Sequence, residues 1–138
     1  MPSLKEDIYK IYKKTKKVKS KILEEDVIFN RYGWIHLSFT SGGHKRPAKD
    51  RRLRMHLFPF VLEVIENAKL IIKETEGIVL SKRGIKRSAK YYEIAGNCDE
   101  GKKHITVIFR KIESGNLHFY SLRRTSPKIK KALERGLL

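Results

Sequence analysis

The chain has 138 residues, 40% of them hydrophobic, enough for one packed core and too many for a disordered chain. Thirty-two Lys and Arg against fifteen Asp and Glu give a formal net charge of +17, a self-repulsion best relieved by a polyanion, with nucleic acid the leading candidate. The lone cysteine, Cys98, excludes an internal disulfide, and no apolar run is long enough for a bilayer span or a signal peptide, so the expectation is a cytoplasmic chain with no membrane partner.

Residues 1–26 read as one basic N-terminal helix. Ser3 and Glu6 have the spacing of a capping box, and Leu4, Ile8, Ile11, Val18 and Ile22 recur at helical spacing. Lys10, Lys13, Lys14, Lys16, Lys17, Lys19 and Lys21 fill the remaining faces, as on a helix that tracks phosphates or on a solvated face over an ordinary apolar stripe. In "VIFNRYGWIHLSFT", Trp34, Ile35, Leu37 and Phe39 predict a strand whose His36 points away from them. "SGGHKRPAKD" is a loop with two glycines, a proline and four basic residues; its amides with Lys45 and Arg46 could cradle a phosphate, and Asp50 could cap the next helix.

"RRLRMHLFPFVLEVIENAKL" predicts a helix broken by Pro59, because proline cannot donate to Met55 and disfavours helix at Phe58. The first piece ends near residue 57, with His56 structural. The second starts at Pro59 and buries Val61, Leu62, Ile65 and Ala68. "KLIIKET", "KYYEIAGN", "KHITVIFRKI" and "NLHFYSLRR" read as strands; "EGIVLSKRGIKRSAK" is basic, turn-rich and unassigned. "SPKIKKALERGLL" predicts a C-terminal helix over 126–138, capped by Ser126 with Pro127 at its first position. No linker or repeat divides the chain. The pattern implies a single α+β domain, 1–138, with helices packed on one face of a curved antiparallel sheet of about four strands.

The last two strands carry the functional signal. With Ser114 and Gly115 as a two-residue turn, Phe109 faces Tyr120 and Arg110 faces Phe119. Ile105, Val107, Phe109, Tyr120 and Leu122 then share the core face, and His104, Thr106, Ile108, Arg110, Phe119, Ser121, Arg123 and Thr125 the other. Cations, hydroxyls and a histidine on one face are what metal-independent RNA cleavage needs: proton donors and acceptors beside charges that hold a developing phosphorane. An antiparallel sheet with one solvated side would also show polar residues there. Paired carboxylates at a suggestive spacing and metal-ligand clusters are both missing from the sequence, so neither a metal nor another cofactor is expected.

The stretch "WIHLSFTSGGHKRPAKDRRLRMHLFPFVLEVIENAKLI", with "YYEIAG", "ITVIFRK" and the strand "HFYS" at 118–121, resembles the nuclease-like domains of phage and mobile-element polyvalent proteins, of the barnase, EndoU, colicin and RelE group. The resemblance covers most of residues 33–125 and rests on short motifs. It implies helices on a curved antiparallel sheet, an active site on the sheet's open face, and RNA cleavage without metal, often as a toxin with an inhibitor or immunity protein as partner. Carried onto this chain, it implies His44 as the loop acid or base, Arg110 as the strand cation that stabilises the phosphorane, Ser121 as the hydroxyl that positions the phosphate, and Glu93 as a barnase-like base. Lys45, Arg46, Thr106, Arg123 and Arg124 become substrate-binding candidates, with Tyr120 to stack a base or donate a proton. A basic nucleic-acid-binding protein without catalysis is the competing expectation.

Overall fold

The computed structural model describes residues 3–40, 42–68 and 71–135. The chain opens with α1 (Leu4–Lys14), where Ser3 Oγ accepts the Glu6 N–H as the cap spacing predicts. The helix stops twelve residues short of the expected boundary at residue 26. Thr15 caps it, and Lys16 takes a left-handed backbone, φ 26°, that a helix cannot contain. Residues expected to continue it instead form a hairpin of β1 (Lys17–Ser20) and β2 (Glu25–Ile28). The predicted stripe is therefore shared: Ile8 is buried under α1, Ile11 is exposed, and Val18 and Ile22 pack on the core from the hairpin.

The predicted strand around Trp34 is a short helix, α2 (Arg31–His36), capped by the Asn30 side chain on the Gly33 N–H. Its aromatic and β-branched residues favour strand locally, but tertiary packing overrides that preference. Gly33 sits so close to the sheet that an added Cβ would lie 2.6 Å from the Phe119 carbonyl oxygen and 2.5 Å from the Tyr12 hydroxyl. The expected break at Pro59 is present: α3 (Ala48–Leu57), a 3-10 turn (Phe58–Phe60), then α4 (Val61–Asn67). Asp50 does not cap α3; it lies in the first turn and pairs with Arg46 and Arg54. Val61, Val64 and Ile65 are fully buried, whereas Leu62 is half-buried.

Four strands follow as an antiparallel meander: β3 (Ile71–Leu80), β4 (Lys86–Cys98), β5 (Lys103–Ile112) and β6 (Leu117–Arg124). The basic stretch left unassigned forms the end of β3, a turn, and the start of β4. The sheet is larger than the four antiparallel strands expected. It has six strands in the order β1-β2-β6-β5-β4-β3, and β2 runs parallel to β6 through Val27 and Ile28. Ser126 caps α5 (Pro127–Glu134), with Pro127 in its first turn as predicted.

Alternation sorts the sheet into two faces. Ile94, Ile105, Val107, Phe109, Leu117, Phe119 and Leu122 point to α4 and the 3-10 turn, where Phe58, Val61, Val64 and Ile65 complete the core. Tyr12, Phe29, Phe58 and Phe119 form an aromatic cluster at the corner where α1, β2 and β6 meet, with ring centroids 5.2 to 6.2 Å apart. Because backbone and packed rings cannot yield to a methyl group at position 33, Gly33→Ala is expected to destabilise by about 1–3 kcal/mol in chemical denaturation. An unchanged midpoint would mean that α2 is not seated on β6 as described.

A candidate nucleic-acid site roofed by the second helix

The far half of the β5–β6 hairpin has the predicted register: Ile105 pairs with Arg124, Thr106 with Arg123, Val107 with Leu122 and Ile108 with Ser121. Between Ile108 and Phe109 the register slips by one, so Phe109 pairs with Phe119, and Arg110 with His118. Tyr120 is the extra residue of a β-bulge. A bulge aims successive side chains to one side, and Tyr120 joins Ser121 on the polar face. Two expectations are thereby corrected. Phe119 lies in the core, and Tyr120, expected in the core, contacts Arg110, Tyr32, His36 and Tyr91.

Cross-strand partners share a face, so the ladder sets three rows: Tyr91–Arg110–His118, Glu93–Ile108–Ser121 and Ala95–Thr106–Arg123. Six of these nine residues are buried, among them Glu93, Arg110, Ser121 and Thr106 at 9%, 7%, 5% and 1% exposure, rather than lining an open solvent face. Pairing with β2 covers β6 only at Leu117 and His118. Beyond that point α2 and α3 close the edge. Arg54 of α3 donates through Nη1 to Ser121 Oγ at 2.8 Å and to the Leu122 carbonyl. Tyr32 and His36 of α2 lie against Arg110 and Tyr120: the Arg110 guanidinium carbon is 4.2 Å from the Tyr32 ring centroid and 5.0 Å from that of Tyr120, and the His36 and Tyr120 rings are 4.5 Å apart.

Hydrogen-bond bookkeeping fixes both histidine tautomers, because arginine can only donate. Arg110 Nε donates to His118 Nε2 at 3.1 Å, so the His118 proton sits on Nδ1, 3.3 Å from the Phe119 carbonyl oxygen. Arg46 donates from Nη2 to His36 Nδ1 at 3.1 Å and from Nε to the His36 carbonyl at 3.0 Å. The His36 proton is therefore on Nε2, and that buried N–H has no acceptor among the described residues. His36 also lines a cavity of about 350 Å³, together with Tyr32, Phe39 and Gly43.

Burial first, and then nearby guanidinium charge, hold both imidazoles neutral. His36 is lowered to about 4 by desolvation and by Arg46, Arg54 and Arg110; His118 is lowered to about 4 by desolvation and Arg110, against the Phe119 carbonyl. Desolvation and the neighbouring Tyr32 and Tyr91 raise the Tyr120 hydroxyl, while Arg110 opposes them. Arg54 is lowered by burial and by Arg46, with Asp50 opposing. Glu93 pairs with Arg123, and Thr106 Oγ1 lies 3.0 Å from Thr125 Oγ1.

Of the sequence-derived candidates, Arg110, Ser121, Glu93, Thr106, Tyr120 and Arg123 share this face, and Arg46 reaches it through His36. His44 does not join them. It is exposed in the glycine loop with its ring against Gly42, and neither a hydrogen bond nor a ring contact links it to Arg110. Lys45 is exposed in the same loop, Arg124 pairs with Ile105 and is turned to the opposite face, and His56 is exposed on α3. Reading the sequence missed the contributions of His118, Arg54, Tyr32, Tyr91 and the buried His36. One signal was available for β6: the apolar spacing Leu117, Phe119, Leu122 changes from two to three, as a bulge requires.

No family model, curated protein or solved structure matches the chain.

Unfolded histidines titrate near 6.5, whereas these two titrate near 4 in the fold. Between those values the unfolded chain binds more protons, so stability falls as pH drops from about 6.5 to 4. At ~1.4 kcal/mol for each tenfold in proton affinity, the loss is about 2–3 kcal/mol per histidine. Urea midpoints across that window check it, and His36→Gln or His118→Gln should each flatten the slope.

Proposed function

We propose that the chain is a metal-independent endoribonuclease whose site is the Glu93–Arg110–Tyr120 face, entered beside α2. One observation carries the proposal. Glu93, Tyr120, Arg110 and Arg123 share one face of β4–β6, Arg54 reaches it from α3 and Arg46 through His36, whose buried N–H has no acceptor among the described residues. RNA supplies what this arrangement lacks, because a non-bridging phosphate oxygen can accept from His36 Nε2 and face Arg46, Arg54 and Arg110.

In the reaction, the ribose 2′-hydroxyl proton passes to the Glu93 carboxylate while O2′ bonds to phosphorus. The P–O5′ bond breaks, and O5′ takes the Tyr120 hydroxyl proton. The products are a 2′,3′-cyclic phosphate and a 5′-hydroxyl end. Solvent then reloads Tyr120 and strips Glu93. Arg110 holds the developing charge, and beside Tyr120 it also favours the transient phenolate. His118 orients Arg110 and takes no proton. His36 acts as a neutral donor, since Arg46 already occupies its lone pair. A producing cell would need an inhibitor protein against such an activity.

A second reading is a non-catalytic RNA binder. It is favoured by the internal pairing of the site: Arg110 on His118, Ser121 on Arg54 and Glu93 on Arg123. The same assay decides between them. Purified protein is mixed with total RNA in excess chelator. The nuclease reading expects cleavage, lost by about 10²–10⁴-fold in Glu93→Gln and Tyr120→Phe and kept within about twofold in His44→Ala. RNA that stays intact but bound selects the binder. RNA that is neither cut nor held removes both readings.

A further inference from the structure

On the far side of α2 lies a second and larger cavity, about 740 Å³, between α1 and α2. Its walls include the rings of Tyr9 and Trp34, whose centroids are 4.9 Å apart, and three cations, Lys5, Lys13 and Arg31, against one acid, Glu6. Tyr9, Ile35 and Phe39, which all line this cavity, are 44%, 42% and 36% exposed, so it presents a contiguous aromatic and apolar surface. Ile35 and Phe39 line this cavity and also the one beside His36, so the two hollows meet across a single rim.

We infer that the α1–α2 cleft is a flanking-nucleotide subsite, in which an unpaired base of single-stranded RNA stacks on Tyr9 and Trp34 while Lys5, Lys13 and Arg31 hold the adjoining phosphates. This rests on the RNA-directed reading of the β4–β6 face and extends it, because the strand leaves that face over the Ile35–Phe39 rim. Aromatic platforms beside cations suit single strands of any sequence, since every base has a stacking face. An acidic peptide would use the cations but not the ring pair. A lipid headgroup would find aromatic rings recessed in a cleft rather than on a convex surface.

Trp34 is the only tryptophan in the chain, so all tryptophan emission comes from the wall of this cleft. The probe is a fluorescein-labelled single-stranded oligoribonucleotide carrying 2′-O-methyl groups, which cannot be cleaved through the 2′-oxygen. Anisotropy measures binding while tryptophan emission measures occupancy of the cleft. Saturable quenching of Trp34 is expected to follow the same isotherm as anisotropy. Tyr9→Ala is expected to lose about tenfold in affinity. Lys5→Ala with Lys13→Ala is expected to lower the salt dependence by about two phosphates' worth. Both lysines are exposed, so folding is not at stake.

Anisotropic binding with unchanged Trp34 emission, and with all variants at parent affinity, overturns the subsite while leaving the β4–β6 reading intact. Quenching by a Glu-rich peptide but not by RNA also overturns it. If the oligonucleotide does not bind at all, the RNA-directed reading fails and the subsite fails with it.

Discussion

One extra residue in β6 governs the rest of the molecule. Without the bulge at Tyr120, strict alternation would point that ring into the core and leave the polar face an ordinary solvated surface. With it, Tyr120 and Ser121 stand side by side on the polar face, and Phe119 and Leu122 still reach the core. β2 leaves β6 after His118, so the unpaired edge beyond it must find other partners. α2 presses Gly33 against the Phe119 carbonyl, and Arg54 of α3 caps the Leu122 carbonyl. Closing that edge brings Tyr32, His36 and Arg46 over the sheet. The site follows from how a short strand pairing is terminated.

The closure concentrates positive charge where water is scarce. Arg46, Arg54 and Arg110 gather around two histidines, and among the described residues only Asp50 forms an ion pair with any of the three. Two devices make this tolerable. Arg110 spreads its charge over the faces of Tyr32 and Tyr120, and the imidazoles stay neutral, each accepting from a guanidinium instead of competing with it. The remaining positive potential is what the proposed RNA phosphate would relieve, in keeping with an overall charge of +17. Of these two histidines, His36 keeps an Nε2 donor with no acceptor among the described residues, and the proposed function puts a phosphate oxygen there.

Much of the architecture was legible in local chemistry. Pro59 announced the break between α3 and α4, Ser3 and Ser126 announced caps, and alternating apolar residues announced β5 and β6 with half of their register. The illegible parts depend on contacts distant in sequence. Lys16 ends α1 in a left-handed conformation without a glycine to signal it. α2 has six residues, too few for a helical period to emerge, and its Tyr32, Trp34 and Ile35 favour strand until Gly33 docks on β6. The face of Glu93 could not be read from β4 alone; it follows from pairing with Ile108 and, through it, Ser121. His44 is the position that the resemblance implies, yet the histidines that meet the arginines come from α2 and β6.

The account turns on His36 being a neutral imidazole, protonated at Nε2 and offering that proton to an anion. Long-range proton–nitrogen NMR of the histidine rings at pH 6 reads this directly. The expected spectrum shows His36 as the neutral Nε2–H form and His118 as the neutral Nδ1–H form, with the His36 Nε2 proton shifting downfield when uncleavable RNA is added. A doubly protonated His36 at pH 6, or an Nδ1–H tautomer that RNA leaves unmoved, would contradict the account at its base.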